Sequence, residues 1–327
     1  MAGDVLDVVL LLALPASGKS EVRRYMKHLS PEKRRKEFFM GPSVQLDDFP
    51  YVHMMRRIDD EIVSRGKARL FFQSPERPFR DPLDWGTLIH LLNEDYEAFS
   101  ARAGKEPSSA ALLLFDRIDR ASKAVGAPAR LAALDGETRQ AIAGPIEHEA
   151  RELWDERKPG RKIDLKGKTL VIEFARGGPQ GSKMPLPAPF GYRYSLALLS
   201  KSLLNKACIL YVWVTPEESR RKNEDRTDPN NPGSILHHGV PIDVMLNDYG
   251  CDDMDWLEAD AERKGTVTVK AHNKTFHLPC ARFDNRVDKT SFLRAEPKKW
   301  RKEDVAAVHE GLRSALSKLA GLAAAAV

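Results

Sequence analysis

Between Asp7 and Met26 the chain reads DVVLLLALPASGKSEVRRYM, and no other stretch constrains the fold as tightly. The apolar run from Val8 to Leu14 reads as a strand buried on both faces, as in the interior of a parallel sheet. A loop of small residues follows, Pro15-Ala16-Ser17-Gly18, then Lys19-Ser20. Beyond it Val22, Tyr25, Met26 and Leu29 fall at i, i+3, i+4 and i+7, the spacing of one helix face. Strand, tight loop, Gly-Lys-Ser and helix in that order is the setting of a phosphate-binding loop. The free N–H groups at the helix start point at an anion and the helix dipole favours it. Lys19 adds a mobile positive charge, and the Ser20 hydroxyl is placed for Mg²⁺. The pattern asks for Gly where this chain has Ala13.

Further strands and a long helical stretch follow. The charged run Pro31 to Lys36 reads as a solvated connection. Phe38 to Leu46 carries a second, shorter strand, followed by Asp47-Asp48-Phe49-Pro50. Carboxylates at a strand's C-terminal end sit where ligands bind in open α/β sheets; an ordinary polar turn places the same residues there. From about Tyr51 to Lys162 the pattern is mainly helical. One helix is expected over Pro82–Ala103, one from Ser108 or Ser109 to about Gly126, and one over Gly136–Arg157 with a break or kink at Gly144-Pro145. Leu112 to Asp116 could be a short strand, but Ala111, Leu114, Phe115, Ile118, Ser122 and Val125 keep helical spacing, so helix is preferred. Lys168 to Gly178 reads as a strand. Its Glu173 is placed either to hold a Mg²⁺-bound water or to pair with Arg176. Tyr194 to Leu204 reads as one helix.

Cys208 to Val214 is another buried strand, and Thr215-Pro216-Glu217-Glu218 then has the form of a capping box. The helix it starts carries Arg220, Arg221, Lys222 and Arg226. Such a basic helix either covers a transferred phosphoryl group with its cations or is a solvated face. Thr227 to Gly239 reads as a loop, in which His237-His238 has no partner at zinc-site spacing. Val240–Tyr249 is a short helix, and Thr266–Leu278 a hairpin turning at His272-Asn273. Cys280–Asn285 is a last strand and loop, and Glu303–Val327 an Ala/Leu-rich helix.

Among 327 residues, 30% are charged and 42% apolar, enough for a folded core. The three cysteines, Cys208, Cys251 and Cys280, are far apart, so a reducing, cytoplasmic setting is expected rather than a disulfide framework. No apolar stretch is long enough to span a bilayer. Asp4 and Asp7 precede the first apolar run, which excludes a signal-peptide reading. The net charge of +5 is spread among mixed signs and by itself selects no partner.

Four separated segments resemble one family. Leu14-Pro15-Ala16-Ser17-Gly18-Lys19-Ser20 is similar to the phosphate loop of polynucleotide 5′-hydroxyl kinases and related P-loop kinases. Leu46-Asp47-Asp48-Phe49 resembles their Asp-Asp-aromatic motif, in which the first Asp is the general base. Lys222-Asn223-Glu224-Asp225-Arg226 is similar to their lid pattern Arg-Asn-x-x-Arg, and Val240-Pro241 to a segment that follows it. The chain departs from that family in four places. Ala16 stands where many of these kinases have Gly, although Ala disfavours positive φ. Lys222 replaces the first lid Arg. Pro50 replaces an Arg used on polynucleotide substrates, and the helical stretch 51–162 is much longer than the family's substrate region.

The resemblance implies a P-loop NTPase-type α/β fold: a parallel sheet flanked by helices, one domain over 1–327, with a helical insertion, 51–162, between the second and third strands. It implies ATP-dependent phosphoryl transfer to a hydroxyl. Pro15, Ala16, Ser17, Gly18, Lys19 and Ser20 would bind the phosphates, and Ser20 with Glu173 would hold Mg²⁺. Asp47 would serve as base, with Lys19, Arg226 and Lys222 stabilising the transferred group. With Pro50 and the long insertion, the acceptor is expected to be a small molecule, nucleoside or nucleotide rather than a nucleic-acid end, and no membrane is involved. The alternatives are an ATPase or regulatory module without an acceptor, and a polynucleotide kinase.

Overall fold

The computed structural model describes residues 5–101, 105–158, 165–226 and 239–325. Its strands are β1 (Val8–Leu12), β2 (Ser43–Asp47), β3 (Thr169–Phe174), β4 (Ala207–Trp213), β5 (Thr266–Ala271) and β6 (Lys274–Asp284). They form one sheet in the order β2-β3-β1-β4-β6-β5. Every pairing is parallel except β5 with β6. The fold is therefore α/β, a mostly parallel six-stranded sheet flanked by helices. β1 lies at its centre with all five residues buried, as its unbroken apolar run requires.

Twelve α-helices are described: α1 (Lys19–His28), α2 (Pro31–Phe38), α3 (Phe49–Val63), α4 (Asp84–Ala98), α5 (Ala110–Ala124), α6 (Gly136–Arg157), α7 (Gly191–Ala197), α8 (Lys201–Leu204), α9 (Pro216–Arg226), α10 (Ile242–Asn247), α11 (Met254–Ala259) and α12 (Lys302–Ala325). Strand alternation divides the core. Val9 and Leu11 of β1 pack with Val22 and Tyr25 of α1 and with Leu312 and Leu316 of α12. Leu10 and Leu12 face the other way, against Leu196 of α7, Leu203 of α8 and Leu92 of α4. Helices α3 to α6 fall between β2 and β3 in the chain and share a separate apolar core. α4 joins the two bodies, giving Ile89 and Leu92 to the sheet and Leu88 and Leu91 to the helices.

Several elements depart from the sequence reading. The run Pro31 to Lys36 is not an irregular connection but most of α2. Its start is capped by the Ser30 side chain, which accepts from the Lys33 amide, with Pro31 at the first position. The expected single helix Tyr194 to Leu204 is two, α7 and α8, because Ser200 caps a fresh start by accepting from the Leu203 amide. α6 runs on through Pro145. Proline lacks the N–H that would reach the Ala141 carbonyl, and Arg65 Nη2 donates to that carbonyl instead, at 2.8 Å. Residues 111–116 are helical, within α5. The hairpin turns at His272 and Asn273, both at positive φ (51° and 56°), as a two-residue hairpin loop requires. β6 then continues past it to pair with β4, so the hairpin's second strand and the expected last strand are one. The loop expected over Thr227 to Gly239 lies, as far as His238, outside the described residues. No described helix is long and apolar enough to cross a membrane.

Candidate functional site

The loop after β1 turns sharply. Ala16 and Gly18 both adopt positive φ, 55° and 103°, and α1 starts at Lys19 with the Val22 amide donating to the Gly18 carbonyl at 2.9 Å. The loop is held by its carbonyls. Ser17 Oγ donates to the Leu14 carbonyl at 2.6 Å. Ser219 Oγ, from α9, donates to that of Pro15 at 2.7 Å. Asn285 Nδ2, just past β6, donates to that of Ser17 at 2.7 Å. Lys19 Nζ folds back to the Ala13 and Leu14 carbonyls at 3.2 and 3.3 Å. The N–H groups of the first helical turn have no carbonyl partner within the helix, while the carbonyls of Leu14, Pro15 and Ser17 are satisfied. That arrangement of left-handed residues and amides suits an anion. Gly18 has no room for a side chain, since a Cβ there would lie 2.4 Å from Thr290 Oγ1.

The connection leaving β1 begins with α1 on one face of the sheet, and the connection leaving its neighbour β3 runs through α7 and α8 on the other. A crevice opens at the carboxyl ends of such strands. Here it is a cleft of about 1020 Å³. The loop Pro15–Ser20 and the ends of β2 and β3 form one side of it. α3 and the turn carrying Phe72 and Phe79 form a second side, and the segment Gly239–Val244 a third.

Two carboxylates stand side by side at the strand ends. Asp47 and Glu173 are register partners on β2 and β3, so their side chains leave the same face. Glu173 Oε2 is paired with Arg23 Nη1 of α1 at 2.6 Å, and Arg23 Nη2 donates to Gln45 Oε1, also at 2.6 Å. The pairing of Glu173 with Arg176 is thus replaced by one with Arg23. Arg176 instead pairs with Asp48, Nη1 to Oδ2 at 2.6 Å, with the guanidinium 1% exposed. Among the described residues nothing hydrogen-bonds to the Asp47 carboxylate. Burial first, and then the neighbouring Glu173, raise its pKa from 3.8 to about 6, against the pull of Arg157 and Arg23. Burial also raises Asp48, against the opposing charges of Arg176 and Lys19.

Ser20, Asp47 and Glu173 line the same cleft and offer a hydroxyl and carboxylates, an all-oxygen set that suits Mg²⁺. That ion dehydrates reluctantly and is held by one or two protein groups together with phosphate oxygens. Among the described residues no three His, Cys, Asp or Glu side chains gather into a metal site of their own.

α9 begins as expected, with Thr215 Oγ1 accepting from the Glu218 amide at 3.2 Å. Its basic residues are mostly paired along the helix, Arg220 with Glu217 and Arg221 with Glu218. Lys222 is not brought to the cleft. It is buried, 1% exposed, with Nζ 2.6 Å from Asp288 Oδ1. Asn223 makes two 2.8 Å bonds to the backbone of Val240, tying α9 to the Val240-Pro241 segment. The side chain of Arg226 lies outside the described residues. Asn285 and Ser219 escaped the sequence reading, and Arg176 was read only as a neighbour for Glu173, because nothing local marks a residue whose partner lies many tens of positions away.

Compared with models of known protein families and with curated proteins, the chain finds no match in either.

Proposed function

We propose that this chain is a P-loop kinase that transfers the γ-phosphoryl group of ATP to a hydroxyl of a small molecule, nucleoside or nucleotide. The observation that carries the proposal is the convergence of two features on one cleft. One is the loop Pro15–Ser20, with Ala16 and Gly18 in the left-handed region, which lines it. The other is Asp47, a half-buried carboxylate with a raised pKa and no hydrogen bond among the described residues.

In this reading the amides of residues 16–20 and Lys19 bind the phosphates, with Pro15 closing the loop. Phosphoryl transfer leaves little covalent chemistry to the protein, so positioning and charge do most of the work. Asp47 accepts the acceptor hydroxyl's hydrogen bond and takes its proton as the new P–O bond forms. A carboxylate near pKa 6 is a better base at neutral pH than an ordinary one. Glu173 is fixed by Arg23, and together with Ser20 it would hold Mg²⁺, which when bound neutralises phosphate charge. Arg226 would approach from α9. Lys222, paired with Asp288, holds α9 against the loop after β6 rather than touching the transferred group.

Purified protein is tested for ATP turnover with and without a panel of hydroxyl acceptors, beside Lys19→Ala. Acceptor-dependent turnover, lost in the variant together with MgATP affinity by calorimetry, is expected. Turnover that no acceptor changes would make the chain an ATPase module. Unchanged MgATP affinity in Lys19→Ala would remove the loop from the site.

A further inference from the structure

The cleft extends well beyond the phosphate loop, and its far wall has a chemistry of its own. On α3, Phe49, Val52 and Arg56 share the face that lines it, at i, i+3 and i+7. Phe49 is 41% exposed, and across the cleft Ile242, at the start of α10, is 53% exposed. Large apolar side chains left open on both rims of one cleft mark a surface that receives an apolar body. Behind them stands an aromatic wall. Phe72 and Phe79 stack with centroids 4.4 Å apart, and Trp85 meets Phe79 edge-on at 4.9 Å. The wall is anchored, because the buried Asp59 carboxylate accepts from the amides of Leu70, Phe71 and Phe72.

Arg56 lies on this wall, its guanidinium carbon 4.0 Å from the centre of the Phe72 ring, with Nη1 donating to the Pro75 carbonyl at 2.6 Å. Among the described residues it forms no ion pair. Three carboxylates near it are engaged elsewhere: Asp59 with the three amides, Asp60 with Arg69 at 2.8 Å, and Asp248 with Trp85. Burial lowers the pKa of Arg56, the mark of a cation short of compensation. From Phe49 to Arg56 the helix rises about 10 Å, seven residues at about 1.5 Å each.

We propose that Arg56 and the Phe49–Ile242 rim form the acceptor subsite, and that the acceptor carries a flat apolar body and, besides the hydroxyl presented to Asp47, an anionic group that Arg56 receives. This deepens the kinase reading and rests on it for the hydroxyl. The anion could be the carboxylate of an aryl acid or the phosphate of a nucleotide. Either would take the bidentate geometry that guanidinium favours.

The test uses matched pairs. 4′-(Hydroxymethyl)biphenyl-4-carboxylate is compared with its carboxamide, and cytidine 3′- and 5′-monophosphates with cytidine, each by calorimetric binding and by phosphorylation with labelled ATP. The anionic member of at least one pair binds ten-fold or more tighter. Arg56→Gln abolishes that difference while leaving the affinity for MgATP and for the neutral member within about two-fold. Phe49→Glu, at an exposed position that tolerates substitution, weakens both members and the anionic member several-fold more, and serves if Arg56→Gln does not fold. Equal binding of both members of every pair, or a selectivity that survives Arg56→Gln, overturns the subsite. Selective, Arg56-dependent binding without phosphorylation keeps the subsite and overturns the kinase reading. Phosphorylation without anion preference does the reverse. Preference for an oligonucleotide end over all the small anions would replace the small acceptor by a nucleic acid.

Discussion

Asp47 and Asp48 are identical neighbours with opposite fates. Asp48 sits against a fully buried guanidinium; Asp47 has no such partner and keeps a raised pKa. Asp47→Asn should retain MgATP binding and lose single-turnover transfer by about 10²–10⁴-fold. The same substitution should change stability, and its sign follows from linkage. The folded state binds the Asp47 proton more tightly than the unfolded chain, so this group's contribution is fully present below about pH 4 and is lost as pH rises through about 6. Once ionised it costs on the order of 1–3 kcal/mol. Asp47→Asn should therefore match the parent near pH 4 and be more stable at pH 8, as denaturant midpoints at the two pH values would show. The two carboxylates were legible in sequence as a strand-end pair, and both line the cleft. The partner of Asp48 was not legible. Glu173 and Arg176 are close in sequence, but three residues apart on extended chain they leave opposite faces. Arg176 finds Asp48 instead, 128 positions away.

At the scale of elements, the loop after β1 carries a strain that the sequence announces. Ala16 is an alanine at a φ of 55°, a region that disfavours any residue with a Cβ by roughly 1–2 kcal/mol. Glycine relieves this but adds freedom to the unfolded chain, worth about 0.4–1 kcal/mol. Ala16→Gly should therefore shift stability by less than about 1 kcal/mol and leave MgATP affinity within a few-fold. Ala16→Val, branched at Cβ, should lose about 2 kcal/mol and most of that affinity. Asn285 tests the loop from behind. It is fully buried and bonds the Ser17 carbonyl, Thr290 Oγ1 and the Lys289 amide. Asn285→Ala should lower stability by about 2–4 kcal/mol, since buried polar groups lose their partners, and weaken MgATP binding in titration. The strand and helix on either side of this loop were readable because each carries a strong apolar period. α2 was not, because Phe38 is its only buried residue and its helicity comes from the Ser30 cap. The α7–α8 break was hidden by leucines at 198, 199, 203 and 204, which keep a helical rhythm across it.

In the molecule as a whole, the candidate site is a joint between the sheet and the helical body whose elements lie between β2 and β3 in the chain. Reading the elements does not by itself reveal how they meet. Arg176 is where they meet: its guanidinium bonds Asp48 at the start of α3, the Trp85 carbonyl in α4 and Ser195 Oγ in α7. It also packs over the Trp85 and Phe174 rings at 4.9 and 5.1 Å. A sequence shows that an arginine follows a strand, but not that three helices converge on it. Removing one member of a buried pair strands the other charge, so Arg176→Leu should cost about 3–5 kcal/mol. Asp48→Asn should be harmful for the mirror-image reason. The double variant Arg176→Leu/Asp48→Asn leaves neither charge stranded, and its loss should fall short of the summed single losses by about 1–3 kcal/mol. Denaturant unfolding of the four proteins measures that coupling directly. If the losses add within about 0.5 kcal/mol, the pair does not join the two bodies. If they do not, acceptor KM in the double variant becomes the informative number. Asp47 and its neighbours on the sheet would be intact, while the wall carrying Arg56 and Phe72 would have lost its tie to them. KM for the acceptor should then rise well above the change in KM for ATP, whose loop is held from the other side by Asn285 and Ser219.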